Sequence, residues 1–287
     1  MRILIAGCGW LGMAVARALV ARGDRVVGIR RDPAAASELE ALGVEPLSLD
    51  LLRPEDRRRL PNDVEAIVAC LAPGARGAGA YERTYVDAVG TLLDFYSGRE
   101  LNRFVYTSST GVFGQTDGSE VTEHSAVLPA SDTARVLVRA EEQVLGRART
   151  QGYPACVVRL SGLYGPRRFG VIDRVREGRL ALGRGDDAWM NFCHRTDAAR
   201  SVLAALERGR PGEVYHASDA VPVRRRDLID WVAERFGFDP VHAPADSAVA
   251  TGTNRRIGAA WSRERLGIEL AYPSFREGLD EAFSGSN

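Results

Sequence analysis

The stretch Gly7-Cys8-Gly9-Trp10-Leu11-Gly12 constrains this chain more than any other. It follows the apolar run Ile3-Leu4-Ile5-Ala6 and opens a helix-like segment, residues 11–21, that closes at Arg22-Gly23. A strand feeding G-x-G-x-x-G into a helix is the setting in which this pattern points to dinucleotide binding. Gly7 permits the tight turn, and Gly9 removes the side chain that would block a pyrophosphate. Gly12 lets helix and strand pack closely, with the phosphates at the helix N-terminus. Trp10 and Leu11, between the glycines, belong to the same cradle.

The second apolar run, residues 25–29, ends at Arg30-Arg31-Asp32. At the tip of such a strand an acid accepts the ribose hydroxyls of NAD, whereas an arginine accommodates the 2′-phosphate of NADP. Arg30 stands about where the acid would be, with Arg31 beside it, so NADP is expected. Asp32 keeps NAD open, and both arginines also fit a solvated turn. A helical segment over residues 33–42 leads to a short strand at 45–50. Asp50, at its end, meets either the adenine edge or solvent as a surface cap. The fourth strand, residues 64–71, turns away through Ala72-Pro73-Gly74 with little side-chain bulk, so Leu71, Ala72 and Pro73 fit a backbone passing close to the cofactor. A long helix over 81–96 and a fifth strand over 104–109 follow. Strands alternating with helices at this spacing predict an α/β fold, a Rossmann-type doubly wound parallel sheet.

Composition narrows the functional classes. The formal net charge is zero and 45% of residues are apolar, which supports neither nucleic acid nor an anionic membrane as a general partner. No apolar span reaches 18 residues, and the N-terminus enters a strand without a leader pattern, so a cytoplasmic protein with a small-molecule substrate is expected. Cys8, Cys70, Cys156 and Cys193 are widely spaced in or beside apolar runs. They read as buried thiols, with no metal site. The chain has no lysine, which excludes any mechanism that needs one.

Four motifs in order, residues 7–12, 105–114, 159–166 and 194–199, resemble the extended short-chain dehydrogenase/reductase family, the nucleotide-sugar epimerases and dehydratases. The Trp-Leu-Gly fingerprint, Arg30 and the ending at 272–279 are similar to an atypical branch of it. The resemblance implies that Ser109 hydrogen-bonds the substrate oxygen at which hydride chemistry occurs. A tyrosine of a Tyr-x-x-x-Lys helix would supply the proton, its lysine lowering the phenol's pKa. The helix that should carry the pair, residues 131–145, has Ala134 and Val138 in one register and Thr133 and Leu137 in the other. Neither restores it, although Arg135 and Arg139 offer cations for a ribose contact. Tyr164, just past the sixth strand (156–160), is either a proton donor or substrate contact, or an aromatic packed under the loop. The resemblance also places Ser108, Leu160, Ser161 and Gly162 near the nicotinamide, and Thr110, Arg168 and His194 near substrate. Ser109 fits a turn cap as well. Arginines between residues 165 and 189 suit an anionic substrate such as a nucleotide diphosphate sugar, or a solvated surface.

Beyond the fourth motif, helices are expected at 201–208, 226–236 and 274–283, a strand at 213–217 and a loop over 241–253. Residues 1–165 plus 190–217 are expected to form the dinucleotide-binding domain, and 166–189 plus 218–287 a small C-terminal α/β substrate lobe. The family often pairs through the helices near 81–96 and 131–145, which implies a homodimer. The function expected is that of an NAD(P)-dependent oxidoreductase or epimerase/dehydratase-like enzyme acting on a small polar substrate. The alternative is a catalytically impaired NADP-binding sensor or scaffold.

Overall fold

The computed structural model describes residues 1–244 and 252–284. Its layering begins with the first strand, β1 (Arg2–Ala6), in which Ile3, Leu4, Ile5 and Ala6 are all fully buried. Successive side chains of a strand point to opposite faces, so a strand apolar at every position needs cover on both sides. Here Ile3 and Ile5 join one core cluster and Leu4 and Ala6 another. β1 lies between β2 (Arg25–Arg30) and β4 (Ala66–Ala69), parallel to both. With β3 (Glu45–Ser48), β5 (Arg103–Ser109), β6 (Ala155–Leu160) and β7 (Val214–Ala217), the sheet runs β7-β6-β5-β4-β1-β2-β3, every pair parallel. This is the expected doubly wound arrangement.

Helices cover the two faces. On the side of Ile3 and Ile5, α1 (Trp10–Ala21) contributes Val15 and Leu19, and α4 (Arg195–Arg208) contributes Val202. On the other face, α2 (residues 78–95) contributes Leu92 and Leu93, and α3 (Asp132–Gln151) contributes Val144. Helix α2 comprises Ala78–Tyr81, a widened π turn over Glu82–Asp87, and Ala88–Phe95. Such insertions recur at functional sites. α3 starts where Ser131 accepts the Ala134 N–H and runs six residues beyond the expected end. Gly146 does not interrupt it, and it stops only at Gly152, which takes the left-handed conformation at φ 64°.

A separate cluster, including Val171, Val175, Leu228, Ile229 and Phe275, holds the small lobe together. It gathers the helices Gly170–Arg176, Arg225–Phe236 and Phe275–Ser284. Two-stranded ladders stitch this region to the sheet: Gly162–Tyr164 with Phe192–His194, and Glu120–Val121 with Arg256–Ile257, both parallel. The loop expected over 241–253 falls mostly on residues 245–251, which lie outside the described residues. All four cysteines are free and buried. Among the described residues no helix is long and apolar enough to cross a membrane.

Candidate functional site

The sheet's chain order reverses between β1 and β4, and a cleft of about 730 Å³ opens there at the carboxyl ends of the strands. Open α/β sheets bind ligands at this switch point. The three glycines of the fingerprint have three different reasons to be glycine. Gly7 sits at φ 87°, and a Cβ on it would lie 2.5 Å from the Cys70 carbonyl oxygen. A Cβ on Gly12 would lie 2.5 Å from the Gly7 carbonyl oxygen, so this glycine seats the helix on the turn and does not itself line the cleft. A Cβ on Gly9 would meet no protein atom within 4 Å. Gly9 lines the cleft, so the space it leaves open is the cradle expected for a pyrophosphate. Helix α1 has no capping side chain and no acidic residue in its first turn. Its first N–H groups, at Trp10 and Leu11, are therefore available to an anion.

At the other side of this turn the Trp10 indole donates to the Pro166 carbonyl at 2.9 Å, tying the fingerprint to the loop after β6. The guanidinium carbons of Arg168 and Arg195 lie 5.3 and 5.1 Å from the Trp10 ring centre. Arg168 thus lines the cleft beside the glycine turn. At the adenosine end Arg30, Arg31, Asp32 and Asp50 all face the cleft. Asp32 is committed to a turn, its carboxylate accepting the Ala34 N–H at 2.9 Å. Asp50 likewise accepts the Leu52 N–H at 3.0 Å. Arg30 makes an exposed pair with Glu38 at 2.9 Å, an interaction of little energy.

The opposite end is built from the tips of β4, β5 and β6. Leu71, Ala72 and Pro73 pass along it, and Ser108, Ser109, Leu160 and Ser161 converge on it. Ser108 and Ser161 are each 5% exposed; the Ser108 hydroxyl lies beside that of Tyr106, and the Ser161 hydroxyl has no hydrogen-bond partner. Buried hydroxyls are nearly always paired, so that of Ser161 points to a ligand. Together with the open Gly9 cradle, it shows that the residues present fit a dinucleotide. Ser109 is a turn cap, as its alternative reading held, since its Oγ accepts the Gly111 N–H at 3.0 Å. That bond uses a lone pair and leaves the O–H free to donate. Leu137 lines the cleft and reaches toward Gly111. Of the four side chains in the two registers, Leu137 lines the cleft, and Thr133, Ala134 and Val138 do not.

Four of the expected residues stand elsewhere. Tyr164 is 3% exposed and outside the cleft; its hydroxyl donates to the Ser274 carbonyl at 3.3 Å, and burial drives its phenol pKa up. Its ring belongs to the small lobe's core, which corrects the proton-donor expectation in favour of packing. Thr110 is buried, and its hydroxyl donates to the Leu160 carbonyl at 3.4 Å. Gly162 is spent on its ladder with Phe192–His194, its N–H donating to the Asn191 carbonyl. His194 caps α4, accepting the Thr196 N–H through Nδ1 with Nε2 2.8 Å from the Glu281 carboxylate. Burial lowers its pKa against the pull of Glu281. None of these three lines the cleft.

Sequence reasoning passed over the α2 side of the cleft. Tyr81, Arg83, Thr84 and Tyr85 all line it. Tyr81 and Tyr85 meet edge to face with ring centres 5.3 Å apart, and both pack on the cluster that holds Leu137 and Phe113. Two tyrosines four apart at the start of a helix, just after the small-residue turn at 72–74, were the available signal. On the cleft floor, burial pushes the Cys8 thiol up to about 11 and Cys70 up to about 12, so both remain thiols at neutral pH.

A glycine turn, a parallel sheet and a cleft at its switch point define a dinucleotide-binding protein. The chain belongs to the NAD dependent epimerase/dehydratase family, whose model matches residues 3–218. It is 26% identical to Protein YeeZ of Escherichia coli (strain K12) over 279 residues, 95% of this chain and 96% of that protein. It is also 26% identical to the 2-alkyl-3-oxoalkanoate reductase of Stenotrophomonas maltophilia over 281 residues, covering 92% and 83% of the two chains. Among solved structures, a conserved protein of unknown function from Silicibacter pomeroyi DSS superposes with a TM-score of 0.80 at 27% identity, covering 99% and 98% of the chains.

Proposed function

We propose that this protein is an NADP(H)-dependent oxidoreductase acting on a small polar carbonyl or hydroxyl compound at Ser109. The observation that carries this reading is the Ser109 hydroxyl, fixed by its own turn at a cleft that the unpaired Ser161 hydroxyl also lines. A nicotinamide cofactor, when bound, supplies or accepts the hydride. In the reducing direction that hydride would add to the carbonyl carbon, with the C=O π electrons moving to oxygen. The Ser109 O–H donates to that oxygen, and a phenol proton completes the new hydroxyl. Tyr81 is the phenol we assign to this step, because it lines the cleft and packs on the cluster that holds Leu137.

Arg30 and Arg31 at the tip of β2, with Asp32 committed to its turn, favour NADP over NAD. Arg168 over Trp10 would then neutralise the cofactor's phosphates. Arg30→Ala is expected to weaken NADPH by about tenfold to a hundredfold and to leave NADH unchanged, as loss of a charged hydrogen bond would. Fluorescence titration of both cofactors measures this, and an unaltered preference would refute the contact. Against a panel of ketones and keto acids, Ser109→Ala and Tyr81→Phe should each lower turnover by roughly 10²–10⁴ with NADPH affinity retained. Full activity in either variant removes that residue from the mechanism. Leu137 at the lysine position favours one second reading, a cofactor-binding sensor. Tight NADPH binding with no turnover on any of the panel would establish it.

A further inference from the structure

We propose that Arg17, Arg167 and Arg195 form a phosphate-binding site beside Trp10, outside the cofactor cleft, for a small phosphate-bearing ligand. Three elements deliver these cations to one place. Arg17 stands two turns after Trp10 on α1 and so shares its face. Arg195 opens α4, and its guanidinium carbon lies 5.1 Å from the Trp10 ring centre. Arg167 belongs to the turn that the Trp10 indole holds through the Pro166 carbonyl. A Cβ on Gly165, in that same turn, would stand 3.2 Å from the Arg195 Cβ, so the turn rests on the start of α4. Arg17 and Arg167 are exposed, Arg195 is half-buried, and none of the three lines the cleft. An anion reaches them from solvent without entering the cofactor's space.

The turn shows that Arg167 is there for its side chain. It is closed by the Arg168 N–H, which donates to the Gly165 carbonyl at 2.7 Å. Pro166 takes its second position and Arg167 its third, at φ 64°. A left-handed residue directly after a turn proline is ordinarily glycine or asparagine. Among the described residues Arg167 is the one non-glycine with a positive φ, and such strain collects where a ligand uses it. The charges are also uncompensated. Among the described residues no carboxylate forms an ion pair with Arg17, Arg167 or Arg195, whereas Arg22, Arg176, Arg179 and Arg226 each have one. Glu281, the acid that acts on Arg195, is already engaged 2.8 Å from His194 Nε2. Burial lowers the Arg195 pKa; Glu281 opposes that shift, and the charges of Arg17 and Arg167 add to it. Stacking on Trp10 occupies Arg195 alone. It explains neither the strained Arg167 nor the third cation. Three cations from three elements match a dianion with several acceptor oxygens, and guanidinium forks suit phosphate.

Calorimetric titration of inorganic phosphate and of glycerol 3-phosphate into the full chain, with and without saturating NADPH, tests the site. Phosphate should bind wild type in both states. Arg167→Gly keeps the turn, since glycine is at ease at a positive φ, and thermal unfolding should show it no less stable than wild type. Its phosphate affinity should still fall about tenfold or more, as loss of a charge-assisted hydrogen bond would. Arg17→Gln, on the exposed face of α1, should weaken phosphate by a similar factor and leave NADPH affinity unchanged; it decides alone should Arg167→Gly not fold. Glycerol 3-phosphate binding tighter than phosphate, and weakened in the same variants, assigns the site to an organic phosphomonoester. Equal or weaker binding assigns it to free phosphate. No phosphate binding to wild type, unchanged affinity in a folded variant, or displacement of phosphate by NADPH would overturn the proposal, and the last would return these arginines to the cofactor. Failure of NADPH to bind wild type would instead remove the cofactor reading, and the titrations without it would still report on this site.

Discussion

Glu141→Ala is expected to destabilise the protein by about 3–5 kcal/mol, the cost of leaving a buried charge without its partner. Arg159 Nε lies 3.0 Å from Glu141 Oε1 and Nη2 lies 2.8 Å from Oε2, with both residues at most 5% exposed. The pair joins β6 to α3 beneath the strand tips that form the cleft. The Arg159 guanidinium also lies 5.0 Å from the ring centre of Phe113, just after the Ser109 turn. Removing the carboxylate would leave the arginine desolvated, with Nη1 already lacking a partner. Urea denaturation of the single variant and of the double variant Glu141→Leu/Arg159→Met separates two causes. The double variant should recover most of the loss, because replacing a whole buried pair with apolar groups is often close to neutral. A double variant as unstable as the single one would show that packing, not the orphaned charge, carries the effect.

The parts of this site that were legible in the sequence are those that local chemistry fixes. Gly7, Gly9 and Gly12 lie within six residues, and each role follows from turn geometry and helix seating. Arg30 and Arg31 follow from their position at a strand tip. Side-chain direction past a strand end was not legible. Tyr164 stands in the expected place along the chain, yet its ladder with Phe192–His194 turns the ring into the lobe's core. Ser109 carried two readings in the sequence, cap and hydrogen-bond donor, and its geometry accommodates both. Residues delivered by distant elements left little trace. Tyr81 depends on how α2 crosses the cleft, and Arg195 reaches Trp10 from the start of α4. The missing Tyr/Lys pair was visible, but that Leu137 is the α3 side chain lining the cleft depends on how the helix packs.

The fingerprint glycines yield the sharpest separation of folding from binding. Gly7→Ala should reduce NADPH affinity by roughly a hundredfold or more and lower stability as well. At φ 87° an alanine is strained by about 1–2 kcal/mol. Its Cβ would also stand 2.5 Å from the Cys70 oxygen, 2.8 Å from the Cys70 carbonyl carbon and 2.9 Å from the Leu71 Cα. These are backbone atoms at the end of β4, so relief requires β1 and β4 to separate where the cleft begins. The Gly7 carbonyl meanwhile accepts the Gly9 N–H at 2.7 Å, so the shift would pass directly into the turn. Gly9→Ala should behave differently, because its φ is −91° and its Cβ meets nothing. It should fold with wild-type stability and still bind NADPH at least about tenfold more weakly, since the methyl occupies the cradle itself. Thermal unfolding without cofactor, set beside fluorescence titration, reads both quantities on the same samples. An undiminished NADPH affinity in Gly9→Ala would mean that the cofactor's phosphates do not cross this glycine, and the site would have to be redrawn from the adenosine end.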